Sequence, residues 1–331
     1  MTQPFITAFK ILGHFWLEEP SPQDAGLITA LPELAELLPG TDPAALDALA
    51  VEYQRLFGFN LPPYESVFVD PTAMLLAPAT ERVQQVYRQA GWTLPANRRA
   101  GAPDHIGLQL LALADMYAAG QNGPAQRLHA EHLALWVPAL AATLRRLQPH
   151  LFYATLSDLT LELLLGTLPE TAVPAANPFP VLPPPPVFRG SGPDEFAPGA
   201  VPSPPESGEE VRLRDLVRQF MIPRDAGLYL TRRDIAGLAQ SLELPKGMGD
   251  RAKMLETLFR QAGEFDSVPD LVAQIELLVV AQAEIFHRWQ MDYPAWEPLG
   301  QAWQTRLEQT RARLQQINAT VEAEVAHLHM P

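Results

Sequence analysis

Three places in this chain gather side chains able to do chemistry. Glu65 lies between Tyr64 and Ser66 in a Pro-Pro-Tyr-Glu-Ser run, and Asp104 directly precedes His105 after Pro103. His129 and His132 stand three residues apart, with Glu131 between them. A carboxylate beside a histidine can be half of a general acid/base pair, and histidines at helical spacing can begin a metal site. Two carboxylates in separate loops can instead grip a cation through charge-assisted hydrogen bonds. The loop setting of these residues favours recognition over catalysis. A dyad needs a nucleophile or a positioned water, and the chain contains no GxSxG elbow, no HExxH helix and no phosphate-cradling glycine loop.

The histidine pair has no second cluster of ligand residues at a matching spacing, so His129 is read as a helix-surface residue. His132 falls beside Trp136 on an apolar face and is read as a hydrogen-bonded core histidine. No catalytic residue, metal or cofactor is expected. Glu65 and Asp104 both lie in Pro- and Gly-marked loops between helical patterns, where polar residues usually serve a binding surface. Asp104 also suits the N-cap of the helix that follows it. Glu65, if buried, needs a donor from the protein or an incoming cation.

The elements that must position these residues are helical. Leu46, Leu49, Tyr53, Leu56 and Phe57 repeat at three- and four-residue spacing behind Asp42 as N-cap and Pro43 as first helical residue. The same pattern predicts helices from Thr80 to Ala90, from Asp104 past Tyr117, from Pro124 to Leu147 with a break at Pro138, and from Phe152 to Leu164. Residues 211–331 return to helices, with a capping box at Thr231 and Asp234, a cap at Asp250, and an apolar stripe from Leu299 through Trp303, Leu307, Leu314, Ile317, Val321 and Val325 to Leu328. That stripe must dock, and another helix of this chain is the expected partner. No alternating strand pattern of useful length occurs.

Composition divides the 331 residues into three regimes. Of 34 prolines, 13 fall between Pro169 and Pro205, so 169–210 reads as an extended tether rather than a core, with Phe179, Phe188 and Phe196 able to pin it to its neighbours. The expected organisation is a helical lobe at 1–168, a Pro-rich linker at 169–210 and a second helical region at 211–331. The net charge of -14 divides as -7 (16 acids, 9 bases), -5 (6 acids, 1 base) and -2 (16 acids, 14 bases) over those regimes. No regime is basic, which argues against a nucleic-acid partner. The chain has no cysteine, so disulfides, thiolate catalysis and Cys-based metal sites are excluded. The first twenty residues make a poor secretory signal, and no uncharged apolar run reaches the ~20 residues of a membrane span. A cytoplasmic protein without membrane insertion is expected.

Taken in order, the motifs resemble the TorD/DmsD family of cytoplasmic redox-enzyme maturation chaperones. The family pattern corresponds here to Tyr53, Leu56 and Phe57, then Pro63, Tyr64, Glu65 and Ser66, then Tyr87 and Gly91, then Pro103, Asp104 and His105. A later element matches His132, Leu133 and Trp136, and Phe152 and Tyr153 match a recurrent aromatic pair. The resemblance covers roughly 45–165. It departs from the family at Gln109, which stands where a glutamate is common.

The resemblance implies an all-α helical bundle that binds, without catalysis, the twin-arginine signal peptide and the apo form of a molybdenum-cofactor oxidoreductase subunit. Tyr64, Glu65, Ser66, Asp104, His105 and Gln109 are the implied peptide-binding residues, at the edge of an apolar furrow between the corners at 65 and 104. A helical adaptor that binds a folded partner through the 299–328 stripe is the alternative. Oligomeric state is left open.

Overall fold

The computed structural model describes residues 1–38, 42–96, 100–169, 178–180 and 213–328, with the side chains of 213, 214 and 322–328 left aside. The fold is all-α, as the periodicity indicates, and no strand occurs among the described residues. The first lobe runs α1 (Gln3–Leu17), α2 (Ala25–Thr29), α3 (Pro32–Ala35), α4 (Pro43–Tyr53), α5 (Glu65–Val69), α6 (Pro78–Gln89), α7 (Ile106–Ala118), α8 (Asn122–Arg127), α9 (Ala134–Arg146) and α10 (Leu151–Gly166). Later in the chain come α11 (Leu213–Met221), α12 (Pro223–Ala226), α13 (Arg232–Ser241), α14 (Arg251–Glu264), α15 (Val268–Asp292) and α16 (Glu297–Leu328). Phe188, Phe196 and most of the Pro-rich tether lie outside the described residues, as do the side chains of Val325 and Leu328.

Helices α1 and α7 form the closest pairing of the first lobe, and two glycines permit it. A Cβ on Gly107 would lie 2.5 Å from the Gly13 carbonyl oxygen, and one on Gly13 would lie 3.0 Å from that of Gly107. Backbone therefore meets backbone at this crossing, and any side chain at 107 forces the helices apart. The pair brings Phe9, Phe15 and Trp16 of α1 into a core shared with Phe152 and Tyr153 of α10. Phe15 meets Phe152 edge to face at 5.5 Å, and the Trp16 indole N–H donates to Thr160 Oγ1 at 2.9 Å.

Pro138 does not break the helix it interrupts. The irregularity lies upstream, in a widened π-helical turn at Leu128–Leu133, and α9 runs unbroken through the proline. Proline removes the N–H that would bond the carbonyl four residues back, which is that of Ala134. The Trp296 indole N–H, from far along the chain, donates to Ala134 O at 2.9 Å, and the Trp303 indole donates to the next carbonyl, Leu135 O, at 2.7 Å. Two tryptophans of the C-terminal helices thus bond the face of α9 that proline leaves short of a donor.

The apolar stripe of α16 docks within the chain. Leu299, Trp303, Leu307, Leu314 and Ile317 are buried, and α15 packs along the helix that carries them. Arg146, at the C-terminal end of α9, joins that helix to the C-terminal part of the chain by donating to Gln282 Oε1 of α15 at 2.6 Å and to the Tyr229 carbonyl. The caps expected at Thr231 and Asp250 are both formed. Asp234 completes the box with Thr231, and Asp250 accepts from Lys253 N at 2.8 Å.

Candidate functional site

Helix α5 is only five residues long, too short to persist without tertiary support. Its N-terminal support comes from the loop before α7. Tyr64 and His105 pair as an isolated antiparallel bridge, with Ile106 N donating to Pro63 O at 3.0 Å and Glu65 N to Asp104 O at 3.1 Å. Asp104 then accepts from Ser66 N through Oδ2 at 2.7 Å. The carboxylate caps α5 rather than its own helix, a correction to the capping read from the sequence. His105 caps α7 instead, its Nδ1 accepting from Gly107 N at 3.1 Å. A ring nitrogen reaches N2 of the following helix where the aspartate, one residue earlier, is drawn to the neighbouring chain.

Asp70 works in the same displaced manner at the other end of α5. Its buried carboxylate accepts from Thr72 N at 2.9 Å, from Thr72 Oγ1 at 2.6 Å, and from Ala79 N in the first turn of α6 at 3.1 Å. The loop so braced holds Ala73 and Leu76 in left-handed conformation, at φ 51° and 57°, and presents Met74, Leu75 and Leu76 to solvent. Left-handed backbone at non-glycine residues costs free energy, of order 1–3 kcal/mol each, and persists only where surroundings enforce it. An acidic corner and an exposed apolar loop therefore stand at opposite ends of one short helix, about 7.5 Å of helical rise apart.

Glu65 is the centre of the corner. It is fully buried, and His132 Nδ1 lies 2.8 and 3.0 Å from its two carboxylate oxygens, so that nitrogen carries the proton. Gln109 Nε2 donates to Glu65 Oε2 at 2.8 Å and to Asp104 O at 3.2 Å, while its Oε1 accepts from the Trp136 indole at 3.4 Å. These contacts fix the amide's orientation. They also explain glutamine at this position, because a carboxylate there would face Glu65 with no proton to donate. Arg82 Nη1 approaches Glu65 Oε1 to 4.0 Å without forming a hydrogen bond. Burial raises the Asp104 carboxyl above its usual range, against the opposing hydrogen bonding of Ser66.

All six residues singled out in the sequence are thus brought together, but not around an open furrow. The corners at 65 and 104 touch through the Ser66–Asp104 bond, and Glu65, Ser66, Asp104 and Gln109 are inaccessible to solvent. Tyr64 is half-buried over them, its hydroxyl accepting from Gly101 N at 3.0 Å and its ring edge-on to His105 at 4.9 Å. Arg82 and the Met74–Leu76 loop did not stand out in the sequence. An apolar triplet between Pro71 and Pro78 was the available signal for the second.

His132 is the core histidine expected, but His129 is also buried and not on the helix surface. His129 Nε2 donates to the Leu164 carbonyl at 2.8 Å and its ring meets Phe9 edge to face. Burial depresses its imidazole to about 4 and that of His105 to about 3. With the folded value below the unfolded one, the unfolded chain binds more protons between them, so stability falls as pH drops from about 6.5 toward those values. The expected loss is up to about 1.4 kcal/mol per pH unit for each histidine, with Asp104 acting in the opposite sense. Urea midpoints between pH 7.5 and 4.5 measure it. His129→Gln should flatten the slope, and an unchanged slope would contradict this assignment.

Among the described residues no group of His, Asp and Glu could hold a metal ion, and no helix is long and apolar enough to cross a membrane. The family model described as nitrate reductase delta subunit matches residues 21–142, which contain α2 through most of α9 and every residue of the acidic corner. No curated protein matches the chain.

Proposed function

From the match of residues 21–142 to the nitrate reductase delta subunit family, together with the resemblance to TorD-like maturation chaperones, we propose that the chain receives the twin-arginine signal peptide of a molybdenum-cofactor oxidoreductase in the cytoplasm and holds its apo subunit before export. Binding, not bond-making, is the whole of the reaction. A twin-arginine leader offers guanidinium groups beside an apolar stretch. Its receptor needs carboxylates next to apolar surface, and α5 has Glu65 and Asp104 at one end and the Met74–Leu76 loop at the other.

One observation carries this reading. A guanidinium already stands 4.0 Å from the Glu65 carboxylate, and its Nη1 is buried without a hydrogen-bond partner. Arg82 holds the position that a leader arginine would take, at a distance that leaves the stronger, shorter contact unmade. An incoming arginine displaces Arg82, opens the Tyr64 cover and pairs with Glu65, with Asp104, Ser66, His105 and Gln109 framing it. The leader's apolar stretch lies along the exposed loop and supplies affinity by burial. The overall charge of -14 accelerates the approach of a basic peptide.

The adaptor reading is less favoured, because the stripe it requires is buried from Leu299 to Ile317, with Trp303 bonded to α9. Titration calorimetry of the full chain with a synthetic twin-arginine leader tests the proposal. Micromolar binding is expected, with at least tenfold weaker binding of a twin-lysine counterpart, since an ammonium cannot reproduce the planar fork. No binding, or equal binding of both peptides, would overturn it.

A further inference from the structure

Pro178–Phe179–Pro180 is the described part of the chain between the first lobe and α11, and it is firmly seated. The Phe179 ring is buried, edge-on to Trp303 at 4.9 Å. The Arg306 guanidinium lies 3.8 Å from the ring centroid and that of Arg224 lies 5.8 Å from it. Two cations against one aromatic ring gain from its negative faces. They also repel one another. Burial and then Arg224 bring the Arg306 guanidinium down to about 10, while Asp225, 3.7 Å from Arg224 Nε, offsets part of the repulsion. The ring is therefore a working part of this cluster, and its loss leaves two partly buried guanidinium groups without their shared partner.

Arg224 links this slot to the acidic corner. Its Nη1 donates both to the Pro180 carbonyl at 3.3 Å and to the Val69 carbonyl at 3.1 Å. Val69 is the last residue of α5, so one guanidinium holds the strap and the C-terminal end of the helix whose N-terminal end carries Glu65. Phe68 of α5 packs at a tilt against Trp136 at 5.5 Å and Tyr229 at 5.6 Å, so the same helix is gripped by α9 and by the segment before α13.

We propose that Pro178–Phe179–Pro180 is a latch, an aromatic strap seated in a slot of Arg224, Trp303 and Arg306, whose seating sets how tightly α5 is held and so how readily the acidic corner opens. The strap is the intramolecular occupant of a site for a proline-flanked aromatic peptide. Release of Phe179 frees Arg224 from Pro180, loosens its hold on Val69, and lets α5 move away from Asp104.

Hydrogen exchange on the full chain tests the latch without any leader peptide, so its outcome is independent of the proposed client. Phe179→Ala is expected to speed exchange of the Glu65–Val69 and Ile106 amides at least tenfold, while amides of α1 change less than twofold. A synthetic Asn-Pro-Phe-Pro peptide added in trans should return the rates toward those of the parent chain. Arg224→Gln, which keeps the strap's ring contacts with Trp303 and Arg306, should speed the same α5 amides and gain no protection from the peptide. Unchanged α5 exchange in both variants, or equal acceleration in α1 and α5, would overturn the proposal. If Phe179→Ala does not fold, Arg224→Gln alone decides by the same criterion.

Discussion

Replacing Glu65 by alanine lowers the stability of the chain by about 3–5 kcal/mol, the range seen when one partner of a buried charged pair is removed. The carboxylate accepts from the buried His132 Nδ1 and Gln109 Nε2 and faces the partly exposed Arg82 at 4.0 Å. Its loss strands the His132 donor, takes one of two acceptors from the Gln109 amide, and leaves Arg82 without its nearest carboxylate. Urea unfolding reads the change as a lower midpoint. Glu65→Gln should cost less, because an amide oxygen still accepts from one donor, and Glu65→Ala combined with His132→Ala should cost less than the two separate losses added together. A loss below about 1 kcal/mol for Glu65→Ala would mean that the corner is open to solvent and its donors bonded elsewhere.

Trp303→Ala should be as severe, at about 3–5 kcal/mol. The indole is fully buried, packs on Phe179 and Phe286, and donates to the Leu135 carbonyl at 2.7 Å. Trp303→Phe separates the two contributions. It keeps most of the buried ring and removes the N–H, so its cost should be about 0.5–1.5 kcal/mol, that of one hydrogen bond. Limited proteolysis gives a second reading, since undocking α16 exposes the chain beyond α10 to cleavage. A near-neutral Trp303→Ala would contradict the attachment of the C-terminal helices through α9.

The elements were legible in the sequence wherever the cause is local. The Thr231–Asp234 box, the Asp42 and Asp250 caps and the inward faces of α6, α7 and α16 follow from spacing of three and four residues. Grouping of Glu65, Asp104, His105 and Gln109 was legible as well, through the order of the motifs. What the sequence did not reveal depends on partners far along the chain. Asp104 caps α5 because the Tyr64–His105 bridge brings Ser66 N to it, 38 residues away. Pro138 looks like a helix breaker until Trp296 supplies a donor to the Ala134 carbonyl, 162 residues away. His129 reads as a surface residue until the π-helical turn and α10 enclose it. Closure of the corner was hidden for the same reason, since Glu65 is satisfied by His132 across 67 residues.

The corner's closure also shapes what binding must do. On the proposed reading, a ligand that reaches Glu65 exchanges places with Arg82 rather than filling a waiting cavity, and part of its binding free energy goes into moving Tyr64. Arg82 is thus a competitor built into the chain. The most direct test is to remove it and repeat the titration with the twin-arginine leader. Arg82→Ala should bind that peptide several-fold more tightly than the parent chain, with little change for the twin-lysine peptide. Equal or weaker binding of the twin-arginine leader would mean that its guanidinium groups do not meet Glu65.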